Sequence, residues 1–343
     1  MNDRMACGLL FARAFKSLAI AGGSMLAASD YAAAQPWVGN LDRTLKAAAG
    51  TLTVEDFNAA LGPVNADLSV WLRSRTIIGR LTNLTRVPER VRLLRTTVPP
   101  TAGFVGEGKP IPVTRMALDG EPMAPLKLAA ISVVTEELIK STQPAADLLL
   151  AQEIGGAIAA TLDYSFIDPA NSGEAGVRPA SVTSGETIIS STGDLAADLA
   201  AMVDALVNAG HTLETAVFIL SPQTAVRLAL AGTADGSPRY PGLTAAGGLL
   251  AGIPTITSPA MAGDTSGAHI TLLEAREIAY FDDGSTQMDV SSQGALQLDT
   301  APDDDAAQVT SLFQANSIAL RAIRRVNWKP RRPGAAVTLT GVQ

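Results

Sequence analysis

Apolar positions along this chain change period several times, and each change marks an element. Near the start, Phe11, Phe15, Leu18 and Ala19 recur at helical spacing and predict an Ala-rich amphipathic helix. Thr53 and Asp56 imitate a capping box, which predicts a short helix from Val54 to Leu61 that stops at Gly62-Pro63. From Val87 to Val98 the Val, Leu, Thr and Arg residues show no helical period, so this stretch reads as an extended strand closed by Pro99-Pro100. Gly103, Gly106, Gly108 and Gly120 then alternate with Pro110, Pro112, Pro122 and Pro125. Such density forbids a helix and favours a long hairpin excursion. Leu126 to Val134 reads as a strand and Thr135 to Lys140 as a helical turn.

Pro144 suits the first turn of the next helix, where its missing amide would have no partner in any case. Leu150, Ile154, Ile158, Leu162 and Phe166 recur every four residues and give that helix one apolar stripe. Gly155 and Gly156 interrupt it at a cost of about 1 kcal/mol each relative to Ala. The expected compensation is close approach of another backbone. Asp168 to Gly176 is a polar turn segment. A second helix is expected after Asp194 as its cap, with Leu195, Leu199, Met202, Leu206 and Val207 on one face and Gly210 ending it. Thr215 to Leu220 reads as a buried strand, and Ser221-Pro222 starts a short helix. Further strands are expected at Ile253 to Thr257, Ile270 to Leu273 and Ile278 to Phe281. From Ile318 to Trp328 the even positions Ile318, Leu320, Ala322, Val326 and Trp328 are apolar, the signature of a half-buried strand. Helices and strands alternate irregularly and without a repeat, so the fold class is α+β.

Composition then narrows the function. With 343 residues, one large or two smaller cores are possible. Hydrophobic residues make up 47% and charged residues only 17%, less charge than a lone soluble monomer usually shows. A surface covered by neighbouring subunits accounts for both figures. A net charge of -7 argues against a protein whose main task is gripping nucleic acid phosphates. The 4% aromatic content argues against base-stacking platforms. Cys7 is the only cysteine, which excludes an internal disulfide; with His211 and His269 as the only histidines, a Cys/His zinc site fails on ligand count. At the start, Arg4, Arg13 and Lys16 precede SLAIAGGSMLAAS, and Ala32-Ala33-Ala34 imitates a signal-peptidase site. Gly22-Gly23-Ser24 breaks that run, and Asp30 and Tyr31 stand before the small residues, so the amphipathic helix is the reading adopted. No stretch approaches the ~18 unbroken apolar residues of a membrane span.

Candidate chemistry is sparse. Gly103 to Lys109 imitates a phosphate-binding P-loop, but Pro110 stands where Ser or Thr must hold magnesium, and Pro112 follows where a helix should begin. No Gly-x-Ser-x-Gly elbow occurs. His211 reads as a capping or surface residue at a helix end, and His269 lies in a short strand after a Gly/Ser loop. Glu136 and Glu137 are adjacent on a helical turn and do not face one another, so they read as solvated or ion-paired rather than as an acid/base couple. Asp303-Asp304-Asp305 lacks the Gly turn and distal Glu of a calcium loop. No catalytic, cofactor-binding or metal-binding residue is expected.

Four segments, in order, carry a resemblance. Phe104-Val-Gly-Glu-Gly-Lys-Pro110 is similar to a W/F-V-G-E-G-x-x-K-P signature, and Leu126 to Leu138 resembles the strand that returns from it. Pro144 to Phe166 resembles a long spine helix, and Gly247 to Pro259, GGLLAGIPTITSP, resembles a Leu-x-Gly-x-Pro-Val strand. Together, from about Trp71 to Trp328, they resemble the major capsid proteins of tailed bacteriophages, the Hong Kong 97-like capsid family. The resemblance implies an N-terminal arm over 1–98, an extended hairpin loop over 99–130, and a peripheral domain over 131–180 and 286–343 with its spine helix at 144–167. It also implies an axial domain over 181–285. The implied product is a non-enzymatic phage or prophage shell protein that self-assembles through hexamers and pentamers into an icosahedral virion capsid around double-stranded DNA. Assembly would take place in the bacterial cytoplasm, with a portal and with scaffold or decoration proteins, and without a membrane. Phe104, Glu107, Lys109, Gly155, Gly156, Arg321 and Arg325 are the expected assembly contacts. The basic cluster Arg321, Arg324, Arg325, Lys329, Arg331 and Arg332 would touch packaged DNA or pair with acidic neighbours. One branch of the family joins subunits through a Lys and an Asn helped by a Glu. Lys109 stands near the first, but Ser311 and Ile318 occupy the other two places, with Asn316 and Asn327 as substitutes, so a shell without covalent cross-links is expected. An encapsulin-like nanocompartment and a secreted binding protein or hydrolase are the alternatives.

Overall fold

The computed structural model describes residues 8–35, 37, 40–51, 60–98, 102–111, 113, 115, 117–140, 144–232, 239–261, 268–299 and 309–342. The chain divides into two compact units. The first comprises Met1–Gly79, Lys127–Leu162 and Asp283–Arg325; the second comprises Arg80–Leu126, Asp163–Asp282 and Val326–Gln343. Mixed helices and strands in both give the α+β class expected from the sequence.

In the first unit, the helix Leu9–Ile20 packs against Met25–Ala33, Leu41–Ala49 and Gly62–Arg75, and also touches Glu136–Lys140. Phe11 and Phe15 are buried and meet edge to face with centroids 4.9 Å apart. The N-cap of the first helix is Gly8, which has no side chain to offer. Asp67 Oδ2 substitutes by accepting the N–H of Leu10 at 3.0 Å and of Phe11 at 3.3 Å. Leu45, Leu61 and Leu68 are also buried. The described part of 1–79 thus carries buried apolar side chains, more than the little core expected of it from the sequence. Gly62-Pro63, expected to stop a helix, instead begins one, with Pro63 in the first turn where no amide partner is needed. The helix expected over Val54 to Leu61 lies mostly outside the described residues.

Strand Leu126–Thr135, the turn Glu136–Lys140 and the helix Pro144–Ile167 follow the sequence reading closely. Ile154, Ile158, Leu162 and Phe166 are buried along one stripe; the side chain of Leu150 lies outside the described set. A four-stranded sheet runs in the order Thr85–Arg86, Ile278–Ser291, Ser317–Pro330, Leu126–Thr135. In Ser317–Pro330 the even residues Ile318, Leu320, Ala322, Val326 and Trp328 are buried, as the alternation predicts. Asn327 departs from it and is buried too, because its amide is needed inside: Nδ2 donates to Ala124 O at 2.5 Å and Oδ1 accepts from Trp328 N at 2.8 Å.

The second unit is built on a seven-stranded sheet. Its order is Thr187–Ser190, Ala336–Val342, Ala268–Glu274, Ala216–Leu220, Ile253–Thr257, Gly247–Leu250, Leu243–Thr244. Phe218, Leu220, Leu250, Ile270, Leu272 and Leu339 form its core with Leu199, Met202 and Leu206 from the helix Leu195–Asn208. Val207 was expected on that face but is 49% exposed, since a one-residue step turns about 100° away from the stripe. Asp194 caps this helix by accepting from Ala196 N, and Ser221 caps Pro222–Leu230 by accepting from Thr224 N. Asp198 is buried within the second unit, where the hydroxyls of Ser191 and Thr192 each donate to it at 2.6 Å and hold its carboxyl below the usual range. His211, read as a surface or capping residue, is instead 4% exposed, with Nε2 2.9 Å from Pro333 O.

Candidate functional site

Among the described residues, the two most exposed large apolar side chains, Phe104 and Val113, stand on one segment of the second unit. Strands Val91–Val98 and Ala117–Met123 pair antiparallel from Val91↔Met123 to Val98↔Ala117, with Arg95 opposite Asp119. They form the base of the hairpin excursion predicted from the Gly/Pro spacing. Met123 closes the base by packing with Ala279 and Phe281. Between the strands, Phe104 is fully exposed, Val113 is 94% exposed and Ile111 74%. Large apolar groups gathered on exposed backbone mark a surface that another molecule covers. Glu107 and Gly108 form a turn in which Lys109 N donates to Gly106 O at 3.1 Å and Gly108 takes φ +74°. The side chains of Glu107 and Lys109 are exposed, and no helix begins at Pro110.

Gly155 and Gly156 prove to be unlike. A Cβ on Gly155 would lie 2.6 Å from Cζ3 of Trp71, within the first unit, whereas among the described residues nothing lies within 4 Å of a Cβ on Gly156. The expected close contact thus exists at one glycine only, and its partner is an indole rather than a backbone. The ring is held from two further sides. The Arg75 guanidinium sits 4.6 Å from the ring centroid, and a Cβ on Gly8 would come within 3.0 Å of Trp71 Cδ1.

The residues of the basic cluster differ in their surroundings. Arg321 pairs with Asp289 at 2.8 Å, and Arg325 is exposed. Arg324 is buried, with Nη2 3.4 Å from Ser69 Oγ. Arg332 pairs with Glu277 at 3.0 Å. Glu136 pairs with Lys140 at 2.7 Å, one turn away. Among the cross-link candidates, Ser311 lies in the short strand Thr310–Ser311 and Ile318 is buried. Asn327 has both amide ends engaged, while Asn316 is exposed at φ +47°. Asp303-Asp304-Asp305 lies outside the described residues.

Two features had no signal strong enough to be read in advance. Phe313 is 82% exposed and Val309 62% beside the two-stranded hairpin Ala295–Leu296/Thr310–Ser311, a second bare apolar surface. Isolated apolar letters in polar surroundings were the only clue. Arg80 is the other feature. Its guanidinium donates to Thr257 O at 2.7 Å and Ala246 O at 2.8 Å, which ties the hairpin Leu243–Leu250 to the strand end. Ser258 Oγ donates to the buried Asp163 at 2.6 Å in the same unit. Burial lowers the pKa of Arg80, and the charge of Asp163 opposes that shift. These partners are 83 to 177 positions apart in pairs such as Arg80–Thr257, so no local pattern reveals them.

Residues 69–341 match the model of the phage capsid family. The "Capsid polyprotein" of Pseudomonas phage PAJU2 is 35% identical over 366 aligned positions, covering 99% of this chain. The chain spans 55% of that relative's length. A solved chain from Mycobacterium phage Adephagia superposes with a TM-score of 0.59 at 16% identity, over 78% of this chain and 90% of its own. The capsid of a native GTA particle superposes with a TM-score of 0.54 at 16% identity, over 79% and 91% respectively. At these identities the structures speak for the fold, and the sequence matches speak for descent. The chain belongs to the phage capsid family.

Proposed function

We propose that this chain is the major building block of an icosahedral phage shell enclosing double-stranded DNA. Many copies associate as hexamers and pentamers in the host cytoplasm and end in the virion. The observation that carries the reading is the bare apolar row Phe104, Ile111 and Val113 on a hairpin whose base is well packed. A subunit gains nothing from such side chains unless a neighbour covers them. The segment 99–130 lies across the adjacent copy; the helix Pro144–Ile167 is the spine of a peripheral domain, and residues 181–285 form the axial domain around the symmetry axes. The N-terminal arm over 1–98 also lies across neighbours, with the exposed hairpin the stronger indication, since the helices within 1–79 bury much of their apolar surface in the subunit. The shell has no catalytic task, and its portal, scaffold or decoration partners dock on the assembled particle. The name of the Pseudomonas phage relative favours a viral shell over a nanocompartment or a secreted hydrolase.

Size-exclusion chromatography with light scattering tests this directly. Capsomers or closed shells are expected at micromolar concentration, and a monomer stable across salt conditions overturns the reading. Phe104→Asp together with Ile111→Asp is expected to abolish assembly. Both side chains are exposed in the subunit, so its stability should move by less than about 0.5 kcal/mol.

The shell is further expected to hold without covalent bonds between chains. A lysine attacks only as a neutral amine, and the acceptor must be an amide. Ser311 offers a hydroxyl, Ile318 accepts no proton, and Asn327 is enclosed with both amide ends engaged, which leaves the exposed Asn316 as the one named amide open to attack. Assembled particles boiled in detergent should run as one band near 35.4 kDa, or lower if the chain is trimmed. A ladder of multiples that persists under reducing conditions and vanishes in Lys109→Ala would refute this.

A further inference from the structure

At one end of the seven-stranded sheet, four segments of the second unit meet in a dense polar node. Glu274 lies at its centre and is only 2% exposed. Thr215 Oγ1 donates to its Oε1, while Oε2 is buried without a hydrogen-bond partner among the described residues. Its backbone N donates to Ala335 O at 2.9 Å, and Ala275 N donates to Thr215 O at 3.2 Å. The next residues extend the node. Arg276 N reaches Thr215 Oγ1 at 3.3 Å, and Arg331 N donates to Glu277 O at 2.7 Å. Arg332 bridges Glu277 Oε1 at 3.0 Å and His211 Nδ1 at 3.1 Å. Glu186 accepts Gly334 N at 2.7 Å.

A buried carboxylate with one oxygen bare is costly when charged, and less so when it carries a proton. The charged groups around Glu274 do not offset that cost. Glu214 and Glu277 are of like sign. Arg276 is the cation acting on it, while Arg332 is committed to Glu277 and His211. Of the outer groups, Glu186 adds negative charge and Arg331 positive charge.

We infer that Glu274 makes this node a proton-dependent latch, closed when the carboxyl is protonated and loosened when it ionises. Burial first, and then the charges of Glu277 and Glu214, push its pKa above the usual carboxylate value against the pull of Thr215 and Arg276. The sign follows. Between the unfolded and the raised folded pKa the native state holds more protons than the unfolded chain, so stability falls as pH rises through that window. The stabilising proton is fully present below the unfolded value, and its contribution is lost above the folded one. The segments joined by the latch carry the ends of the interior strands Ala216–Leu220, Ala268–Glu274 and Ala336–Val342, so opening loosens that end of the sheet without unfolding the unit.

The experiment compares thermal unfolding of the full wild-type chain and Glu274→Gln from about pH 5 to about pH 8, with amide exchange at residues 274–277 and 335–337 read in parallel. Glutamine keeps the shape and an acceptor for Thr215 but carries no charge. The two proteins should melt together at the acid end, and the variant should melt roughly 2–4 °C higher at the alkaline end. Exchange at the node should accelerate with pH in the wild type beyond the intrinsic chemical rate, and not in the variant. Glu214→Gln, at an exposed position, provides a second reading that does not disturb packing: it should move the wild-type transition to higher pH tolerance by removing one repelling charge. Parallel melting profiles for wild type and Glu274→Gln, or a variant less stable than wild type at about pH 8, overturn the latch. A Glu274→Gln chain that does not fold leaves Glu214→Gln to decide, and an unmoved profile there overturns it as well.

Discussion

Gly155→Ala is expected to destabilise the chain by about 1–3 kcal/mol, the cost of overpacking a filled site. Gly156→Ala, one residue on, is expected to stabilise it by up to about 1 kcal/mol, the gain in helix propensity. The same substitution in adjacent positions of one helix therefore changes sign. At Gly155 the new methyl group would meet Cζ3 of Trp71 at 2.6 Å, Cη2 at 2.8 Å and Cε3 at 3.1 Å. The indole is 5% exposed and cannot withdraw easily, because Gly8 closes its other edge and Arg75 covers a face. At Gly156 the methyl group would enter open space. Urea unfolding of both variants measures the pair. Equal shifts of either sign would show that Trp71 does not seat on the helix as described.

Trp328→Ala is expected to cost about 3–5 kcal/mol, near the top of the range for a buried aromatic. The side chain is 2% exposed, meets Phe166 edge to face with centroids 5.5 Å apart, and donates from Nε1 to Ala180 O at 2.8 Å. It thereby joins the C-terminal turn of the long helix to the strand end Val326–Pro330 and to the loop after Asn171, all within the second unit. Asn171 secures that loop by donating from Nδ2 to Ser165 O at 2.8 Å and Pro179 O at 3.0 Å. Trp328→Phe keeps most of the ring contact but leaves Ala180 O without its donor. A smaller loss of roughly 1–2 kcal/mol is expected. Near-equal melting temperatures for wild type and Trp328→Ala would exclude this packing.

The latch at Glu274 and the carboxylate of Asp198 illustrate two opposite uses of burial. Asp198 receives two hydroxyls and a backbone amide and is held in its charged form, so its contribution is lost as the pH falls. Glu274 receives too few donors for its two oxygens, and its contribution is lost as the pH rises. Nothing in the residue letters separates these cases.

The elements of this protein were legible wherever one local pattern controlled them. The four-residue stripe of Pro144–Ile167, the alternation in Ser317–Pro330 and the caps Asp194 and Ser221 each depend on residues within a turn or two, and backbone geometry converts such spacing directly into a buried face. The Gly/Pro spacing likewise determined a hairpin with no helix in it, and with three other ordered segments it determined the family. The tertiary structure alone decided what each special residue does. Gly62-Pro63 reads equally well as a stop or a start until the helix packs on one side of it. Gly155 and Gly156 are identical in sequence terms and differ only because Trp71, 84 positions earlier, falls against one of them. Arg80, Asn327, His211 and Glu274 acquire their roles from partners brought close by sheet order, and long-range pairing leaves no periodic trace in the chain that it joins.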